Sequence, residues 1–482
     1  MPYFRKILII VLILSGTICL GAYLGIQTLT STHFPQSILK DKIEVEVGKA
    51  LGHEVQIAGL DGNFITHIRL KGVRISDKKT LEDGAFIEVD RVIIRYNPIL
   101  FLLNKGNILA SISEINVESG TAFVKRSRSD RWNILEFLPP PDSTQPPLKF
   151  SSLLNLHNVR LHFLDERGWG AKPLEKPFNE TMVVNGRMNF KDLHSVSYDI
   201  WGHTGSINRF AMTGLVNLLT GQYSLVADME RLSLSQWSRY IVPLDGMALT
   251  SGSATLKLNL KSRKLIKKTD LPFTYTIDAE LANADLQLPY FPLPTRKLTG
   301  EIRIARDRIA FQQFKGELNN IPIVGRGEVD LGQGVIRMAI NTDQFSLPRI
   351  KGLFPVLKDV DFNGSGKAEI SITGPLANPV IEGYGKIPRV RSYSMISENL
   401  ETAFRLQSGI LHFGVISGSL YKGAITATGS VNLNAPLPIF DVQVSAKSID
   451  LAAILPPNSV LKGHADIIAK LNGTSDLYRM NV

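Results

Sequence analysis

Cysteine is almost absent from the 482 residues: Cys19 is the single one, and it lies inside the N-terminal apolar stretch. The rest of the chain forms no internal disulfide and offers no thiolate as nucleophile or metal ligand. The nine histidines are scattered, with no H-x-x-x-H or H-E-x-x-H pair, so the helical zinc signatures are missing. GSGK at 364–367 lacks the earlier glycine of a phosphate loop, because Asp361 stands there, and it runs into alternating residues instead of a helix. No other nucleotide-binding signature occurs. Long helical patterns are missing after residue 52, which argues against the crossover helices of a parallel α/β sheet and favours antiparallel strands. The expectation from these absences is a protein that is not an enzyme, with no catalytic, metal or cofactor site.

Charge is also sparse. Charged residues are 20 % of the chain against 44 % apolar, and the excess of +10 is spread along it, so no nucleic-acid partner is expected. The one dense basic run, KLNLKSRKLIKKTD (257–270), reads as a solvated loop between strands; contact with anionic lipid headgroups is the sharper alternative.

What is present begins at the N-terminus. Arg5 and Lys6 precede an uncharged apolar run, Ile7 to Ile26, long enough for a bilayer-spanning helix. GTICLGAY offers no good A-x-A cleavage site, so the run is read as an uncleaved anchor, with Ile7, Leu12, Ile18, Leu24 and Ile26 along it. Residues 1–6 would be a cytoplasmic tail, and the positive flank places the body on the far side. Residues 35–51 repeat Ile38, Leu39, Ile43, Val47, Ala50 and Leu51 at helical spacing, between Pro35 and Gly52, and read as an amphipathic helix.

From Val55 onward period two dominates. FTYTIDAEL (273–281) puts Phe273, Tyr275, Ile277, Ala279 and Leu281 on one parity and Thr274, Thr276, Asp278 and Glu280 on the other. Successive strand residues point to opposite faces, so this means one apolar face and one wet face. Residues 52–138 form a first β region, with RWNILEFL (131–138) read as a short helix. PPPDSTQPP marks a linker at 139–148, and 149–482 is a repeated β region.

The repeat is legible directly. IAFQQFKGELNNIPIVGRGEVDL (309–331) aligns without a gap on LHFGVISGSLYKGAITATGSVNL (411–433), matching Phe311, Gly316, Gly327 and Val329 to Phe413, Gly418, Gly429 and Val431. A weaker earlier copy has Gly214, Val216 and Leu218, and after each of the three come a short apolar stretch and a Gly-x-Ala strand: LSLSQWSRYI then GSATLKL, FSLPRIKGLF then GKAEISI, IDLAAIL then GHADIIA. Such repeats build quasi-one-dimensional structures. At ~15 residues per strand and turn, about 28 strands at roughly 4.8 Å give a rod on the order of 130 Å. The last copy stops at Val482, which reads either as a short protein or as part of a longer one.

The anchor and helix followed by LGHEVQIAGLDG, the NVRLHFLDE strand, GPLANPVIEG and the recurring G-x-L…G-x-V-x-L strands resemble the AsmA-like superfamily. FITHIRLKGVRISD and GNILASISEINVESGTAFVKR are most similar to its TamB (translocation and assembly module) branch. The resemblance implies an inner-membrane anchor and a mostly β, elongated, curved antiparallel β-groove with few short helices in the periplasm. It implies phospholipid transport to the outer membrane, or outer-membrane protein assembly with a BamA-related barrel partner. The long C-terminal region of that branch has no counterpart here. The residues expected to face acyl chains are Phe273, Tyr275, Ile277, Ile323, Val329, Ile370, Ile425, Val431 and Val442. Periodicity alone equally allows them to pack as a dry core, and an assembly scaffold or an exported rod remains open beside the conduit.

Overall fold

The computed structural model describes residues 36–62, 66–97, 99–100, 111–133, 152–168, 174, 176–190, 192, 195–217, 222–241, 248–262, 273–287, 294–305, 307–351, 361–392, 395–434, 439–455, 460 and 462–474. The membrane-anchor residues Ile7, Leu12, Ile18, Leu24 and Ile26, the linker and most of RWNILEFL lie outside them. No helix among the described residues is long and apolar enough to cross a membrane.

The chain is mostly β, with 22 strands among the described residues. It divides into two compact units, one holding residues 1–244 and 255–276, the other 245–254 and 277–482.

The first unit opens with helix α1 (Gln36–Leu51), followed by β1 (Val55–Gly62), β2 (His67–Ser76), β3 (Ala85–Tyr96), β4 (Ile112–Arg126) and β5 (Leu153–Asp165). β6 (Phe178–Asn189), β7 (Ser195–Thr204), β8 (Arg209–Asn217), β9 (Tyr223–Ser233) and helix α2 (Leu234–Ile241) follow. β10 (Ala248–Ser262) and β11 (Phe273–Gln287) carry the boundary between the units. Ile43, Val47 and Leu51 recur every four residues and are buried on one side of α1, while Val45 is exposed. The Glu44 carboxylate accepts the Ile57 N–H at 2.5 Å, so the helix caps the free edge of β1. These helical residues join Ile68, Ile94, Ile115 and Val196, each 0 % exposed, in one buried cluster.

From β1 to β9 consecutive strands pair antiparallel, with one exception: β4 and β5 are parallel from Glu114–Leu153 to Arg126–Asp165. The antiparallel expectation fails here because the stretch from Arg126 to Leu153 is long enough to return the chain to the start of its neighbour. The end of this pair is clamped. The buried Arg126 guanidinium donates to Asp165 Oδ2 (3.2 Å), Gly168 O (3.0 Å) and Asp130 Oδ1 (2.7 Å), and lies 5.4 Å from the Trp132 ring centre.

The second unit contains β12 (Thr295–Ala305), β13 (Arg308–Leu318), β14 (Ile321–Asp330), β15 (Val335–Ser346), helix α3 (Leu347–Lys351) and β16 (Phe362–Pro375). β17 (Val380–Ser392), β18 (Met395–Gln407), β19 (Ile410–Leu420), β20 (Gly423–Asn432), β21 (Ile439–Asp450), a 3-10 turn (Leu451–Ala453) and β22 (His464–Thr474) complete it. Every adjacent pair from β12 to β22 is antiparallel. Among the described residues no pairing joins β22 back to β12, so this ladder is open.

The repeat reaches the backbone. β19 and β20 begin and end 102 residues after β13 and β14. Asn319 and Asn320 turn the first hairpin with φ of 50° and 61°; Tyr421 and Lys422 turn the second with 47° and 65°. Two successive left-handed residues make the type I′ turn that matches strand twist. Both hairpins shift register after the same position, Phe311 and Phe413. Register shifts elsewhere sit at the left-handed Lys297 and Asn399, again 102 apart, and at Asn158 and Ser448. The extra N–H groups are satisfied by neighbouring strands: Lys297 donates to Asp285, Ser448 to Asp466 and Asn158 to the Asn185 side-chain oxygen. The strand–short helix–strand order also occurs three times, at α2, α3 and the 3-10 turn.

GSGK lies within β16, where Gly366 faces Phe345 across the ladder. The basic run 257–270 enters β10 for its first six residues; the rest lies outside the described residues.

Candidate functional site

The registers of the second unit bring apolar side chains into rows that cross the strands. One row runs Gly300, Phe314, Gly325, Ile340 and Ile370 over β12 to β16. It continues Gly383, Phe404, Phe413, Gly429, Val442 and Leu471 over β17 to β22. A second row, two residues along, runs Ile302, Phe311, Gly327, Met338 and Ile372, then Ile381, Leu406, Leu411, Val431, Phe440 and Gly473. Both rows cross eleven strands without one polar side chain. The row between them projects from the opposite face and reads Arg326, Ala339, Ser371, Glu382, Arg405, His412, Ser430, Asp441 and Asn472. Alternation along each strand and matched register between strands together produce two faces of opposite chemistry.

The apolar face is incompletely covered. In both rows only Phe314, Gly325 and Val431 are buried; the others are half-buried. The buried cluster at Ile321, Phe345 and Leu347, with Ile350, Phe362, Ile387 and Val390 against it, is local to α3. The polar face carries ion pairs across the strands: Arg303–Asp278 (2.6 Å), Arg337–Glu328 (2.7 Å), Arg405–Glu382 (3.4 Å) and Lys386–Glu401. The hydrogen bonds from Lys386 and Tyr384 hold the Glu401 carboxyl below its usual pKa, and the bond from Lys422 lowers that of Asp450.

Ile370 and Val442 stand in the first row and Val431 in the second. Val329 lies in a shorter row with Ile309 and Ile336. Ile323 faces Gly316, and Ile425 faces Gly418 and Ala446. Tyr275 and Ile277 are half-buried in β11, and the Phe273 side chain lies outside the described set. The sequence reading missed Phe404, Leu406, Leu411, Ile381 and Leu471, which stand in the same rows. A signal for the rows was available: Phe311 and Gly327, matched to Phe413 and Gly429 as repeat residues, are direct cross-strand partners in each hairpin.

Three strand histidines differ in their surroundings. His162 stacks on Phe123 at 5.1 Å and bonds the Thr181 hydroxyl at 2.9 Å, whereas His412 and His464 are exposed. Among the described residues no group of His, Cys, Asp or Glu is arranged to hold a metal ion. No known family model matches the chain, and no curated protein is similar to it.

Proposed function

We propose that the second unit is a groove for hydrocarbon chains and that the protein carries phospholipid between the inner and outer membranes of a bacterial envelope. Residues 7–26 serve as the inner-membrane anchor and the body lies in the periplasm. The observation that carries the reading is the pair of unbroken apolar rows, half-covered and crossing eleven strands. Ten strand spacings of ~4.8 Å make a path of roughly 48 Å. One leaflet of hydrocarbon is about half of a ~30 Å core, so the path exceeds one acyl chain. The charged face opposite stays hydrated, and no side chain in the rows would have to lose a hydrogen-bond partner to an alkyl neighbour. The AsmA-like resemblance points the same way.

Native mass spectrometry with lipid extraction on the full chain tests this. Bound phospholipid, lost when Ile370 and Val442 become Asp while far-UV dichroism is kept, is the expected result. A lipid-free, folded chain counts against it.

A second reading, a scaffold for outer-membrane protein assembly with a BamA-related barrel, is favoured by the edge strand β22. Among the described residues it pairs with β21 alone, and Ile467 and Ile468 are 48 % and 77 % exposed. An open edge of this kind takes an added strand. Lipid-free chain capturing an unfolded barrel precursor would favour it.

A further inference from the structure

Aromatic rings in this sheet repeatedly face glycine across the ladder. Tyr198 faces Gly214, Phe210 faces Gly202, Phe314 faces Gly325, Phe345 faces Gly366 and Phe404 faces Gly383. In each case a Cβ placed on the glycine falls within 2.8 Å of the ring or its hydroxyl. The ring thus lies over the bare glycine backbone instead of standing up from the sheet, and the glycine is what permits it. A ring lying down closes the sheet surface beneath it and leaves the space above it free.

The pairs differ in what lies above them. Tyr198, Phe210, Phe314 and Phe345 are buried at 4–7 % exposure, so nothing from outside reaches their rings. Phe404 is half-buried and stands in the first apolar row, next to Phe413 on the adjacent strand. A Cβ on Gly383 would come to 2.3 Å of Phe404 Cζ and 2.9 Å of the Glu369 carbonyl oxygen. A methyl group at 383 therefore drives the ring upward, into the row.

We propose that the Phe404–Gly383 pair sets the depth of the groove at β17–β18 and thereby selects unbranched over methyl-branched hydrocarbon chains. Phe404 touches the chain; Gly383 is a positioning residue that acts through the ring. A straight chain passes over a flattened ring. Methyl branches on that chain would meet it, since an added methyl in a fitted apolar site changes affinity by roughly tenfold or more. The inference rests on the groove reading proposed above.

The test uses the full chain and two probes, palmitic acid and the methyl-branched phytanic acid, each quantified as bound ligand by native mass spectrometry. The unmodified chain is expected to prefer palmitic acid by about tenfold or more. Phe404→Ala should keep palmitic acid and bring the preference close to unity. Gly383→Ala should lose palmitic acid, and the double variant Gly383→Ala/Phe404→Ala should regain it, with far-UV dichroism confirming the fold in each. Palmitic acid bound with an unchanged preference in Phe404→Ala, or no rescue in the folded double variant, overturns the inference and leaves the groove standing. No palmitic acid on the unmodified chain overturns the groove reading, and this inference with it.

Discussion

The two units put the same alternation to different use. In the first, apolar parity becomes a dry interior: Ile68, Ile94, Ile115 and Val196 are fully buried and joined to Ile43 and Val47 of a covering helix. In the second, Ile370, Leu406, Leu411 and Val442 follow the same parity and remain half-covered. What separates them is the cover. α1 adds Ile43, Val47 and Leu51 to the buried cluster of the first unit, whereas α3 reaches only a local cluster around Phe345. An alternating strand states which face avoids water; it does not state what lies on that face.

Charge placement attacks this contrast most strongly. Ile94→Asp puts a carboxylate where no water reaches, and the first unit should lose its fold, a loss of several kcal/mol. Val442→Asp should leave the second unit folded, because the partly open face lets the carboxylate be hydrated. Near-UV dichroism and thermal melts of the two variants separate them; equal losses would erase the distinction.

Ion pairs divide in the same way. Asp165→Ala removes the buried one of the two carboxylates paired with the Arg126 guanidinium, leaves the more exposed Asp130 in place, and should cost about 2–3 kcal/mol. Glu328→Ala removes a partner of the exposed Arg337 and should cost no more than about 1 kcal/mol. Urea titration of both variants gives the ratio.

Alkaline titration sharpens the comparison further. Burial pushes Tyr96, Tyr198 and Tyr223 of the first unit up from 10.0 to about 12. The folded pKa lies above the unfolded one, so their contribution is complete below about pH 10 and is lost as pH rises toward 12. Tyrosinate absorbance should include a late fraction that ionises together with loss of near-UV dichroism; full ionisation near pH 10 would contradict it. The smallest effect is expected at Tyr96→Phe. Its buried hydroxyl has no hydrogen-bond partner among the described residues, so removal should change stability by no more than about 0.5 kcal/mol.

Much of the fold was legible because it is written locally. Strand parity needs only neighbours in sequence, and the repeat of 309–331 at 411–433 returns as two hairpins whose bounds, turn positions and bulges coincide. Of the rows across strands the repeat signalled only the Phe311–Gly327 and Phe413–Gly429 pairs; the rest depends on register, and register depends on bulges at Lys297, Asn399 and Ser448 that no residue type announces. Lysine and serine are unremarkable in left-handed positions only after the structure shows the Asp285 and Asp466 carboxylates that accept their N–H groups. The same gap hid the role of Gly383: as a sequence feature it marks a bend or a bulge, and only its partner Phe404 gives it another meaning. The parallel pairing of β4 with β5 was hidden by the linker between them.

The central claim is that hydrocarbon occupies the apolar face of the second unit and is excluded from that of the first. The most direct measurement is photo-crosslinking of the full chain with a phospholipid bearing a diazirine at its acyl terminus, with adducts mapped by peptide mass spectrometry. The account predicts adducts on row residues such as Ile370, Phe404, Leu411 and Val442 and none on Ile68, Ile94, Ile115 or Val196. Adducts spread equally over both groups, or confined to the charged face around Glu382 and Arg405, would contradict it.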